Sequence, residues 1–100
     1  MNMPTIRAVC MATRALNPGL NKQDLKAHRG QKSVSHPRQD AMAAAREMGK
    51  LSFPQIGRLF GNKHHTTVMH GINQATKLRP ENVAAIVSLA KQIMGKGDQQ

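Results

Sequence analysis

Apolar residues recur at helical spacing along most of this chain, and no window alternates apolar and polar for as long as a strand requires. Ile6, Val9, Cys10, Thr13 and Leu16 mark one face of a first helix from about Pro4 to Leu16, which Asn17-Pro18-Gly19 stops. A short second helix follows. Asn21 is a plausible N-cap, and Leu20 and Leu25 have the spacing of a hydrophobic staple across it. Residues 28–36 show no apolar period. They read as a basic loop in which Gly30 supplies flexibility, or equally as a solvated linker. Pro37, suited to a first helical turn, opens the next helix. It runs through Ala-rich DAMAAAREM and ends at Gly49.

Residues 51–78 hold the most informative pattern. Ser52 and Gln55 form a capping box, with Leu51 and Ile56 as the staple across it. The helix that follows is short, with Ile56, Leu59 and Phe60 inward. Gly57 within it allows another helix to come close. Gly61-Asn62-Lys63 makes a tight turn. A longer helix then begins near His64 or His65 and runs to about Leu78. A short helix, a glycine turn and a longer helix are the order of a helix-turn-helix. On the longer helix, Val68, Gly71, Ile72, Ala75 and Leu78 fall on one side. Thr66, His70, Asn73, Gln74 and Lys77 fall on the other, with Thr67 at the boundary. The outer side carries no acid, whereas a merely solvated helix normally mixes Glu with Lys. Pro80-Glu81 starts a last helix with an apolar stripe of Val83, Ile86, Val87, Ala90, Ile93 and Met94, ended by Gly95 and Gly97. The expected fold is all-α, a compact bundle of about six helices containing a helix-turn-helix. It forms one domain over 1–100, with an ordered core over about 5–94, a basic loop at 28–36 and a frayed tail at 95–100.

Charge adds a partner. Fifteen Lys and Arg oppose five Asp and Glu, a formal net charge of +10, which favours a polyanion. The distribution sharpens this, because no acid occurs from Leu25 to Gln39 or from Met48 to Pro80. With only two aromatics and seven Met, the core falls to Leu, Ile, Val, Ala and Met. The single Cys10 has no disulfide partner and reads as a reduced, buried thiol, which fits a cytoplasmic, nucleoid-associated protein. No signal peptide is apparent, and no stretch reaches the roughly 20 apolar residues that span a bilayer. No membrane partner is expected. His64, His65 and His70 lack the spacing and companions of a metal site. Cys10 and Ser52 have no poised partner for nucleophilic catalysis. The expectation is a protein that is not an enzyme, with no cofactor and no metal.

The run PRQDAMAAAREMGKLSFPQIGRLFGNKHHTTVMHGINQATKL resembles the C-terminal DNA-binding domain, domain IV, of the bacterial replication initiator DnaA. The resemblance rests on Pro37-Arg38-Gln39, on Ser52 through Gly61 with its S-x-P-x-I-G-x-x-F-G form, and on His65-Thr66-Thr67-Val68-Met69-His70. It covers roughly residues 5–94 and implies a Trp-repressor-like helix-turn-helix fold. There is no G-x-x-x-x-G-K-[ST] segment, hence no nucleotide-binding loop and no ATPase module. The Met1 start and the lack of a visible tag favour a free-standing small gene product over an excised fragment.

The recognition helix is expected to enter the major groove by its N-terminal end, with His65 and Thr66 at base edges. His64 and Met69 are further base-contact candidates, and the resemblance adds Pro54, at a family position that touches a thymine methyl. It also places Arg38, Gln39, Arg46, Thr67 and His70 on the phosphate backbone; Ser52, Lys63 and Lys77 join them as candidates. The basic loop would reach the minor groove through Arg29 or Lys32, because the family's minor-groove arginine aligns with Gly30. A second departure is His64, where the family has an Asp that can accept from a cytosine amino group. The implied partner is double-stranded DNA at DnaA-box-like sites, in replication-initiation control or transcription regulation, with interplay with a full-length initiator at shared sites. The alternatives are a protein-interaction adaptor and a nonspecific nucleic-acid binder.

Overall fold

The computed structural model describes residues 3–28 and 30–98, with the side chains of all of these except 96–98. They form six helices: α1 (Met3–Leu16), α2 (Lys22–Lys26), α3 (Lys32–Gly49), α4 (Phe53–Leu59), α5 (His65–Leu78) and α6 (Pro80–Asp98). No strand occurs among the described residues. The all-α helix-turn-helix architecture expected from the sequence is the observed one.

α3 is the axis, and α1, α2, α4, α5 and α6 all touch it. Its Ala41, Ala43, Ala44 and Ala45 are buried on several sides, which only a methyl-sized side chain allows when helices approach from more than one direction. Met42 is buried with them, its Cε toward Gly71 of α5. α1 contributes Ile6, Val9 and Thr13 to this core, and Thr13 returns its hydroxyl to Val9 O at 2.7 Å. The stripe on α6 faces inward as patterned, with Val83, Ile86, Val87 and Ala90 buried and Ile93 and Met94 half-buried.

The local start signals act as read. Asn21 caps α2, and Asp24 closes the box by accepting from Asn21 N at 2.9 Å, a partner the sequence reading did not assign. Ser52 Oγ accepts from Gln55 N at 3.3 Å, while Gln55 Oε1 accepts from Ser52 N at 2.8 Å.

Two boundaries and two residue assignments differ. α3 begins at Lys32 rather than Pro37, so the loop is shorter than 28–36. Val34 and Ser35 donate their N–H groups to Gln31 O, and Val34 packs half-buried on the core. Pro37 forfeits one hydrogen bond, and the anchored first turn offsets it. α3 ends at Gly49 as expected, but the left-handed residue that caps it is Lys50 (φ 53) and not the glycine. α6 passes through Gly95 and Gly97 to Asp98 instead of stopping there. Residues 99 and 100 of the expected frayed tail lie outside the described residues. Leu78, assigned to the inner side of α5, is 59% exposed. It is the last residue of α5, and the chain turns at Arg79 before that side chain meets the core.

Candidate nucleic-acid interface

The turn between α4 and α5 is set by backbone contacts that admit no side chain. A Cβ on Gly57 would stand 2.2 Å from Lys63 O and 3.5 Å from Val68 Cγ2 of α5, so this glycine admits the turn's own backbone first and the neighbouring helix beside it. Gly61 takes φ 88, and a Cβ there would stand 2.0 Å from Lys26 O. The turn is thereby pressed onto the end of α2. His28 Nε2–H donates to Gly61 O at 2.5 Å, and Lys63 Nζ donates to Lys26 O at 3.2 Å and to Phe60 O. Two hydrogen bonds across more than thirty residues, together with the Gly61–Lys26 backbone contact, lock the start of the loop after α2 to the turn before α5.

α5 buries Val68, Gly71, Ile72 and Ala75. Gly71 lets it cross close over α3, since a Cβ there would lie 3.0 Å from Met42 Cε. The opposite face stands in solvent: His65, Thr67, His70, Asn73, Gln74 and Lys77 are exposed, and Thr66 and Met69 are half-buried at its edge. His64 is the N-cap of α5. Its Nδ1 accepts from Thr66 N at 3.2 Å and lies against Thr66 Oγ1, and its ring meets that of His65 at 4.4 Å. An accepting Nδ1 is unprotonated, which leaves the proton on Nε2 as a donor.

Pro54 and Ser52 are exposed at the start of α4. Arg46 is exposed beside them, its guanidinium 4.2 Å from the Phe53 ring centroid and its Nη1 donating to Leu51 O at 2.6 Å. Stacking of this kind fixes an Arg that a sequence pattern shows only as a charge. Lys32 is exposed in the first turn of α3, and Arg29 lies outside the described residues. Gly30 has φ 155, and a Cβ there would stand 3.1 Å from Val34 and 3.2 Å from Arg38 Nη2, so its backbone is a poor host for an arginine.

Two cations assigned to phosphates do not stand on this surface. Arg38 is only 5% exposed, and its Nε donates to Asp24 O at 2.9 Å. Burial lowers its pKa, with Asp24 acting in the opposite direction. Lys63 is 7% exposed, with its amine spent on the two carbonyls above. Burial, helped by the charge of Arg38, lowers its pKa to about 8. Gln39 is half-buried and accepts from Arg79 Nη2 at 2.8 Å. The sequence shows charge but not which charges point inward, and no local signal marks His28, Lys63 or Arg38 as ties between distant segments.

Residues 6–75 match the model of the bacterial dnaA protein helix-turn-helix. The chain belongs to the bacterial DnaA helix-turn-helix family. Chromosomal replication initiator proteins DnaA of Francisella tularensis subsp. novicida and of Francisella philomiragia are each 44% identical to it over 62 residues, which is 62% of this chain and 13% of theirs. DnaA of Gluconobacter oxydans is 43% identical over 61 residues, 61% of this chain and 13% of that protein. The chain therefore spans about an eighth of the length of these relatives. What it shares with them is the DNA-binding helix-turn-helix domain. Among the described residues, no helix is long and apolar enough to cross a membrane. No group of three or more metal-ligating side chains converges among them either.

Proposed function

We propose that this DnaA-family chain reads short double-stranded DNA sites through the N-terminal half of α5. The observation that carries the reading is the outer face of α5. From His65 to Lys77 it is exposed, free of carboxylates and rich in donors, while its other face is packed on α3. His65, Thr66 and Met69 stand at base edges with Pro54 beside them, and Arg46, Ser52, Thr67, His70 and Lys77 hold phosphates. Lys32 is the minor-groove cation among the described residues. Arg38 and Lys63 act indirectly, by fixing the elements that carry the face. Occupancy of sites shared with a full-length initiator, in replication control or transcription, follows if the site preferred is DnaA-box-like.

His64 changes that preference at one position. With Nδ1 accepting from Thr66 N, its Nε2–H is a donor where the family's Asp is an acceptor, so the base edge it meets must accept: guanine O6 or N7, adenine N7 or thymine O4 in place of the cytosine amino group.

Selection from a random duplex pool tests the reading. A sequence-reading protein enriches one short motif and binds it roughly 10³-fold or more above random duplex at physiological salt. Uniform, salt-dependent binding of all duplexes identifies a nonspecific binder instead. Absence of duplex binding with retention of a protein partner identifies an adaptor.

A further inference from the structure

α1 has a second amphipathic side. Its core face carries Ile6, Val9 and Thr13, but Met3, Arg7, Cys10, Met11 and Arg14 form another stripe at helical spacing, and no helix covers it fully. That stripe is one wall of a groove of about 470 Å³ between α1, α2 and α4. Ile6, Leu25 and Phe60 form its buried floor, and Leu59 and Cys10 are half-buried in it. Met11 is 54% exposed on its wall. Arg7, Arg14, Lys22, Lys26 and Arg58 surround it, and no carboxylate lines it. A solvated face has no need of an apolar floor, and a floor awaiting water has no need of an all-cationic rim.

The chemistry narrows the occupant. Duplex DNA satisfies the rim but offers nothing to cover methionine and leucine. A second copy carries the same net charge of +10 and meets the rim with repulsion. A flat anionic bilayer satisfies charge but does not enter a cleft walled by three helices. An amphipathic helix fits both parts, with its apolar seam in the groove and its carboxylates against the rim. Methionines on the wall suit such a partner, because they repack around different side chains. We propose that the groove between α1, α2 and α4 docks an acidic amphipathic helix of a partner protein.

The probe is a synthetic helical peptide of about 15 residues, with Leu along one seam and Glu on the flanks. It is titrated into the full chain while backbone amide signals are followed. Saturable shifts on α1, α2 and α4 with Kd below about 100 μM support the proposal. The surface substitutions Arg7→Gln with Arg14→Gln should weaken the peptide about tenfold, and Met11→Ser severalfold, with DNA affinity held within about threefold. Four results overturn it. These are equal binding of a peptide with the same composition but a scrambled seam, equal binding of a Glu→Lys version, shifts confined to α5, and no saturation by about 1 mM. Binding of phosphatidylglycerol vesicles without binding of the peptide also overturns it, in favour of a lipid surface. DNA binding is measured on the same samples, so loss of peptide binding alone sinks this proposal and loss of DNA binding alone sinks the proposed function.

Discussion

Arg79 joins the recognition helix to the rest of the bundle, and removing its side chain should take away a large share of the domain's stability. It follows the last residue of α5 and precedes Pro80, the first residue of α6. Its Nε donates to Asp40 Oδ1 at 2.9 Å and its Nη2 to Gln39 Oε1 at 2.8 Å, so one guanidinium fastens the end of α5 to the middle of α3. The Asp40 side chain is 4% exposed and that of Arg79 13%. Burial pushes the Asp40 carboxyl up from its ordinary value. The Arg79 hydrogen bond and charge are the main opposing influences, followed by Asn82 and His36. Arg79→Ala leaves a buried carboxylate without its cation, which costs about 3–5 kcal/mol. A domain of this size holds roughly 5–10 kcal/mol in total, so its melting temperature should fall by roughly 15–30 °C.

Urea and thermal unfolding followed by far-UV circular dichroism measure this loss, and pH gives an internal check. Because the folded-state pKa of Asp40 is raised, the native state takes up its proton at a higher pH than the unfolded chain does. Without Arg79 that pKa rises further. The loss is therefore largest at neutral pH and shrinks as acidification neutralises Asp40. Asp40→Asn placed on Arg79→Ala should restore about 2 kcal/mol at neutral pH by removing the stranded charge. A loss below about 1 kcal/mol, or one that does not vary with pH, would falsify the assignment of Arg79 as a buried tie.

Four further outcomes follow from the interface and its supports. His64→Asp keeps an N-cap acceptor and adds a favourable charge at the helix start. Stability should rise by about 0.5–1 kcal/mol, and duplex selection should move toward cytosine at one position; an unchanged motif removes His64 from base reading. Lys63 has a folded-state pKa of about 8 against 10.5 for the unfolded chain, so the unfolded state holds the extra proton between those values. Stability should accordingly climb as pH rises through that window, and Lys63→Met should flatten the climb; identical pH profiles refute the buried amine. Arg46→Ala should lower the salt slope of DNA binding by about one with little effect on unfolding. Arg38→Ala should do the reverse, lowering the melting temperature and leaving the slope alone, since its Nε serves Asp24 O. A changed slope for Arg38→Ala with unchanged stability would return it to the phosphate contacts.

Local chemistry written in consecutive residues was legible from the sequence alone. The capping box at Ser52 and Gln55, the Asn21 cap, the Gly61-Asn62-Lys63 turn and the period-3.6 stripes of α5 and α6 each depend on neighbours within one or two turns. These signals fix the helices, their order and the face of α5 that meets the core, and with them the family. Tertiary structure decided which cations turn inward, because that depends on carbonyls and carboxylates far away in the chain. Arg38 meets Asp24, Lys63 meets Lys26, and Arg79 meets Asp40. It also decided where α3 begins. Pro37 looks like a helix start by propensity, but Val34, seated on the core, carries the helix back to Lys32. A charge or a proline has the same local signature whether it faces water or a buried partner, and only the packing of the six helices separates the two.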